Sequence, residues 1–247
     1  MNKGSILNIQ EIKEIWGKIY RIALGCPPLD KLLDGGFPSS HVTLIYGERS
    51  SGKTQLCHQL VAHYLTVERN HYAVYIDVDL TFSPSRIVSI VKKFGVQEPR
   101  DVLSRILYYK PPSFEDQVKV VDLLYSIHDK APHKLIIIDS ISTLIRGEYG
   151  SAVIEMQRAL SNYIKKLQEY ALQKNVVVIV TDNVHLVKQL DKELLLPVSL
   201  YAMEISVTHL RLIRGVGAKR ICRVEASPVI PEGEAAFLIA EEGLIEI

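Results

Sequence analysis

The clearest chemistry in the chain lies in one short stretch. Gly47-Glu48-Arg49-Ser50-Ser51-Gly52-Lys53-Thr54 fits G-x-x-x-x-G-K-[ST], and Gln55 follows it. The glycines let the backbone fold tightly, so that its N–H groups point at phosphate oxygens. The lysine reaches the β- and γ-phosphates, and the hydroxyl after it binds Mg²⁺. A helix beginning here adds its positive N-terminus to the anion's surroundings. The motif implies a nucleotide site with Mg²⁺, residues 47–55 lying around the phosphates, Lys53 on them and Thr54 on the metal.

Such a site needs a second carboxylate, at the end of a buried strand, for the Mg²⁺ shell. Leu135-Ile136-Ile137-Ile138-Asp139-Ser140 supplies Asp139. Hydrolysis also needs a group that orients or deprotonates the attacking water. Asp77 and Asp79 leave the strand Tyr72–Asp77, and alternation puts both on one side. Asp182 and Asn183, after Val176–Val180, are the other polar candidates. In open α/β sheets, ligands gather at the carboxyl ends of strands, where all these residues fall.

The elements that must hold these groups are legible in the periodicity. Val42–Tyr46 reads as a strand running into the glycine-rich turn, Lys53–Val67 as a helix and Tyr72–Asp77 as a second strand. Ser83 caps a helix with Pro84 at its first position, and Ser113-x-x-Asp116 starts another running toward His128. The longest helix spans 151–174, with Val153, Met156, Leu160, Tyr163, Ile164, Leu167, Tyr170 and Ala171 on one face. Short strands follow residue 200: Tyr201–Val207, Leu210–Ile213, Arg220–Val224 and Ala236–Ile239. Repeated strand–helix–strand units followed by a run of strands predict an α/β fold. Its sheet is mostly parallel and flanked by helices, with C-terminal antiparallel strands. Residues 1–21 stand apart as an amphipathic arm whose stripe is Ile9, Ile12, Ile15, Trp16 and Ile19. The arm packs on its own core or docks on another subunit; residues 22–247 form one core.

Composition excludes several classes. The 247 residues carry 29 Lys+Arg against 28 Asp+Glu, so any nucleic-acid contact must come from a local patch. No apolar run is long enough to span a bilayer, and no secretory signal is readable. Cys26, Cys57 and Cys222 lie far apart without a C-x-x-C pair, which fits reduced thiols in a cytoplasmic protein that has no membrane partner. His58 and His63 lack a metal-site spacing.

Several motifs together resemble the RecA/RadA recombinase superfamily. They are Leu-Asp-Lys-Leu-Leu-Asp-Gly-Gly at 29–36, the stretch 47–60, Tyr-Ile-Asp-Val-Asp-Leu-Thr-Phe at 75–82, Asp139-Ser140, and Ser-Pro-Val-Ile-Pro-Glu-Gly-Glu-Ala-Ala-Phe at 227–237. The chain is similar to an archaeal RadA paralogue of the RadB or RadC kind, a RecA-like P-loop NTPase core without the domain that precedes it in RadA. The resemblance implies Lys53 and Thr54 on phosphate and Mg²⁺, Asp139 on the metal shell, and Arg86 stacking on adenine, as a flat guanidinium can.

The departures from that pattern matter as much. Asp79 stands where such ATPases carry glutamate. It is shorter by one C–C bond, and a misplacement of about 1 Å can cost on the order of 100-fold in rate. Thr181-Asp182-Asn183-Val184 replaces Thr-Asn-Gln-Val, which shortens the γ-phosphate sensor, Asn183; Ala226 replaces an aspartate that caps a neighbour's ATP. Arg146–Ser151 keeps only part of the first DNA loop. The second DNA loop, the stretch 183–200, sets Lys188 and Lys192 against Asp191 and Glu193, leaving it neutral. Tyr20-x-x-Ala23 has the form of a polymerisation motif but lies too close to the core.

One basic cluster remains. Arg211, Arg214, Lys219, Arg220 and Arg223 surround the Gly215–Gly217 turn. They either track a phosphate backbone or guard a sheet edge. The expected function is a recombinase paralogue with weak ATPase activity, an accessory factor in recombinational DNA repair. It binds single-stranded DNA or a recombinase or paralogue subunit. The rivals are strand exchange in its own right and a nucleotide-gated scaffold without significant turnover.

Overall fold

Apolar strands too continuous to face water set the centre of the molecule. The computed structural model describes residues 19–189, 192–199 and 208–247. Strands β1 (Arg21–Ile22) and β2 (Phe37–Pro38) form a small antiparallel pair around helix α1 (Pro27–Leu32). The main sheet then builds from β3 (His41–Gly47), β4 (Tyr72–Asp77), β5 (Ile106–Tyr109), β6 (His133–Asp139), β7 (Val177–Gln189), β8 (Lys192–Pro197), β9 (Thr208–Arg214), β10 (Lys219–Ala226), β11 (Gly233–Ala240) and β12 (Gly243–Ile245). Its order is β12-β11-β10-β9-β3-β7-β6-β4-β5, with β8 paired to β7. The stretch from β9 to β5 is parallel, and β10, β11 and β12 continue it antiparallel.

Both faces of the sheet are covered, which is why its central strands read as unbroken apolar runs. On one face Ile45, Leu135, Ile137 and Ile179 pack beneath α2 (Lys53–Val67), α3 (Pro84–Lys93) and α4 (Pro99–Ser104). On the other, Leu44, Ile136, Ile138 and Val178 meet α5 (Phe114–Ile127), α6 (Thr143–Tyr149) and α7 (Val153–Lys174). The expected caps form. Ser83 Oγ accepts from Arg86 N at 3.3 Å, and Ser113 Oγ accepts from Asp116 N at 3.1 Å.

Three expectations change. Val153, assigned to the apolar face of the long helix, is 52% exposed, because α7 begins at this residue and its first turn overhangs the core. The strand expected over 176–180 continues to Gln189 and pairs back on β8, from Val184↔Pro197 to Gln189↔Lys192. The neutral stretch after Asn183 is therefore a two-stranded extension where a loop was expected. Tyr20 donates to the carbonyls of Lys134 (3.2 Å) and Asn175 (3.0 Å), and Arg21 belongs to β1, so both are tied to the core. The expected strand Tyr201–Val207 and arm residues 1–18 lie outside the described residues.

At the start of β6, a histidine–tyrosine chain links the end of α5 to α7. His133 Nδ1 lies 2.8 Å from the Ala131 carbonyl, which can only accept, so that nitrogen carries the proton. Its Nε2 then accepts from Tyr170 Oη at 2.6 Å, and His128 Nδ1 lies 3.0 Å from the same hydroxyl. Burial holds His133 neutral, with a pKa near 4, and does the same to His58, whose Nε2 accepts from Ser83 N. An unfolded chain takes up these protons first as pH falls. Stability is thus full above about pH 6.5 and drains away toward pH 4, by about 3 kcal/mol per ring at most. Urea melts across this range should show that loss. In a His133→Gln variant the pH slope should be shallower by about one proton.

Candidate nucleotide-binding site

At the carboxyl ends of the parallel strands lies a cleft of about 1140 Å³. Its floor is the turn between β3 and α2. Ser50 (φ 64°) and Gly52 (φ 108°) both adopt left-handed backbone there, which a side chain at Gly52 would resist. A Cβ on Gly52 would also meet Ile239 Cδ1 at 2.7 Å. Glu48, Arg49 and Ser50 are exposed, whereas Ser51 is fully buried. Lys53 Nζ donates to the carbonyls of Gly47 (2.9 Å) and Glu48 (3.0 Å). Burial lowers its pKa, and the charges of Asp139, Asp182 and Asp79 oppose that shift.

The carboxylate expected at the end of β6 is the hub. Asp139 is 2% exposed and accepts from four hydroxyls: Thr54 Oγ1 (2.7 Å), Tyr75 Oη (3.0 Å), Thr81 Oγ1 (3.3 Å) and Thr181 Oγ1 (2.5 Å). A buried carboxylate costs several kcal/mol unless it is paired or hydrogen-bonded, and these donors come from α2, β4, the 78–82 turn and β7. The hydroxyl of Thr54 beside the carboxylate of Asp139 is an all-oxygen donor set, which suits a hard divalent cation such as Mg²⁺.

The two aspartates after Ile76 part company. Strand β4 ends at Asp77, so alternation does not reach Asp79. Asp77 is 1% exposed and accepts from Thr81 N (3.0 Å), Phe82 N (3.2 Å) and Tyr108 Oη (3.0 Å), which folds the turn. Asp79 lines the cleft and accepts from Ser140 Oγ at 3.3 Å. The pair at the end of β7 divides in the same way. Asp182 is buried under donors from Ser142 and Ser199, and that burial raises its pKa; Asn183 faces the cleft.

At the other end of the cleft, Arg86 Nε donates to Gln55 Oε1 at 2.6 Å, and its remaining nitrogens donate to the carbonyls of Ala240 and Glu241. These bonds hold the guanidinium as one wall of the cleft. Sequence reasoning gave no role to Thr81, Tyr75 or Thr143, and placed Arg146 in the first DNA loop. Thr81, Thr143 and Arg146 line the cleft, and Tyr75 stands beneath it on Asp139. Their signal was present for Tyr75 and Thr81, which lie inside the 75–82 motif.

Comparison with known proteins places the chain in a family. A sequence model of the Rad51 family matches residues 16–247. This chain belongs to the Rad51 family. It is 33% identical over 242 residues to the DNA repair protein RAD51 homolog 1 of Arabidopsis thaliana, covering 93% of this chain and 70% of that protein. The identity is also 33% to the meiotic recombination protein DMC1 homolog A of Oryza sativa subsp. indica, covering 92% and 69%. With the DNA repair protein RAD51 of Saccharomyces cerevisiae it is 32%, covering 90% and 58%. The α/β architecture with its mixed sheet is that of the Rad51 domain.

Against this Rad51 core, the five hairpin bases do not form one continuous patch. Arg220 pairs with Arg214 and Arg223 with Arg211 across β9 and β10. The two pairs are three residues apart along each strand, so they point to opposite faces. Arg211 meets Glu225 at 3.4 Å and Arg223 meets Glu234 at 3.0 Å, so both are neutralised. Lys219 is exposed beside the turn. Among the described residues there is no cluster of three or more His, Cys, Asp or Glu residues that could hold a metal, all three cysteines are free and buried, and no helix is long and apolar enough to cross a membrane.

The division of the two aspartates is measurable. Asp77→Ala strands three donors and should cost about 2 kcal/mol or more of unfolding free energy, whereas Asp79→Ala should stay within about 0.5 kcal/mol of wild type. Parallel urea titrations of the two variants check this. Equal losses would contradict the assignment.

Proposed function

We propose that this Rad51-family protein binds ATP with Mg²⁺ at the cleft and acts in homologous recombination and DNA repair as an accessory paralogue, of the kind seen in archaeal RadB and RadC. The observation that carries the nucleotide reading is the junction of Lys53, Thr54 and Asp139 at the N-terminus of α2, where Thr54 and Asp139 lie 2.7 Å apart. In this reading residues 47–55 surround the phosphates, with Lys53 neutralising their charge. Thr54 and Asp139 would hold the Mg²⁺, which when bound offsets charge on the transferring phosphoryl group. Asp79 and Asn183 would position the water and sense the γ-phosphate. The fixed guanidinium of Arg86 offers a flat surface to the base.

Weak turnover is the expectation, because the Asp79 carboxylate is short and already engaged by Ser140. Single-stranded DNA, or a recombinase or paralogue subunit, is the proposed partner. Of the arm read over residues 1–21, the part before Tyr20 would serve as an arm on the core, which begins with Tyr20 and Arg21 and not at 22, and the protein would work in the cytoplasm. The DNA role is modest, since two of the five hairpin bases are spent on Glu225 and Glu234. A strand-exchange activity of its own is the second reading. It is favoured by similarity over more than nine-tenths of the chain to proteins named for DNA repair and meiotic recombination.

ATP turnover with and without single-stranded DNA tests the proposal. Turnover should be slow, rise with DNA, and increase at least several-fold in Asp79→Glu, which restores the missing reach. Fast turnover in the wild type would contradict the Asp79 argument. Joint-molecule formation without any added recombinase would favour the second reading. Lys53→Ala should abolish the rise in melting temperature that ATP gives by mass action.

A further inference from the structure

Two arginines of the C-terminal hairpin remain unneutralised, and one of them stands in the nucleotide cleft. Arg220 lies opposite Arg214 across β9 and β10. Among the described residues neither has an ion-pair partner, in contrast to Arg211 and Arg223. Like charges directly opposite each other weaken a sheet, so this pair costs stability unless an anion meets it. Arg220 lines the same cleft as Arg49, Lys53 and Arg86. Its stem approaches the phosphate turn, for a Cβ placed on Gly52 would sit 3.8 Å from Arg220 Cγ. One terminal nitrogen donates back to the carbonyls of Gly217 (2.9 Å) and Lys219 (2.7 Å), while Nε is buried without a partner. Desolvation and the charge of Arg214 both lower the Arg220 pKa, as expected of a cation that lacks a counter-ion.

We propose that Arg220 is a nucleotide-contacting residue, supplied from the C-terminal hairpin to a phosphate of the bound nucleotide, with Arg214 reinforcing the field behind it. This rests on the ATP reading above and removes Arg220 from the set of DNA contacts. The ligand chemistry is a phosphate anion in either case. The position of Arg220 against Gly52, inside the cleft of the phosphate turn, selects the nucleotide over a DNA backbone. The arrangement also couples two regions distant in sequence. The phosphates would join β10 to the start of α2, while Arg86 already joins α3 to the end of β11 through Ala240 and Glu241. Nucleotide would therefore stiffen the antiparallel part of the sheet as well as the phosphate turn.

The test measures binding of magnesium ATPγS and, separately, of an oligo-dT strand at saturating ATPγS, using the full chain. Arg220→Met keeps the stem that packs against Gly52 and removes the charge. It should weaken ATPγS by about tenfold or more, as expected for loss of a charge-assisted hydrogen bond, with oligo-dT affinity unchanged. Arg220→Lys should recover part of the loss, and Arg223→Ala should match wild type. Hydrogen exchange of β10 and β11 should slow on adding ATPγS to wild type and not in Arg220→Met. Melting without nucleotide reports whether each variant is folded, and Arg220→Lys carries the comparison if Arg220→Met is not. Wild-type ATPγS affinity in Arg220→Met, or a loss confined to oligo-dT, would overturn the proposal. Failure of the wild type itself to bind ATPγS would instead sink the ATP reading beneath it.

Discussion

The buried carboxylate of Asp139 is the constraint on which the rest depends. At 2% exposure it could not remain in the fold without donors, and four hydroxyls converge on it. Each comes from a different segment: Thr54 from the start of α2, Tyr75 from β4, Thr81 from the turn after β4, Thr181 from β7. The requirement to satisfy one charge thereby sets the relative heights of three adjacent parallel strands and the helix that follows β3. Coupled with the Lys53 ammonium nearby, it places a cation, a hydroxyl and a carboxylate at one point of the cleft floor.

The walls of the cleft come from different physics. Arg86 is held by Gln55 and by two backbone carbonyls at the end of β11, and Arg220 leans in from β10. Both depend on the antiparallel strands that extend the parallel sheet. Those strands do more than cover a hydrophobic edge, because they bring arginines to a cleft whose floor is built some 170 residues earlier, from Gly52 to Arg220. Two other hairpin bases, Arg211 and Arg223, are matched by Glu225 and Glu234 and face away.

Much of this was legible in the sequence, for identifiable reasons. The phosphate turn, Asp139 and the buried strands carry local signals: glycines at fixed spacing, a carboxylate after an apolar run, and β-branched residues buried on both faces. Three features were not legible. Asp77 and Asp79 looked equivalent because alternation was extended past the end of β4, where the turn that Asp77 folds reverses it. The hairpin bases looked like one patch because charge was counted along the chain, whereas a strand sends residues three apart to opposite faces. The stretch after Asn183 looked like a loop because its antiparallel pairing with β8 depends on backbone register, which composition does not reveal.

The central claim is that Asp139 and Thr54 make the cleft a site for a nucleotide together with its metal. Calorimetric titration with ATP in excess Mg²⁺, repeated in excess EDTA, tests it most directly. The account predicts one site per chain, with affinity falling by about tenfold or more when the metal is withdrawn, since Thr54 and Asp139 would then face the phosphates without the intervening cation. Equal affinity with and without Mg²⁺, or no binding in either, would contradict it.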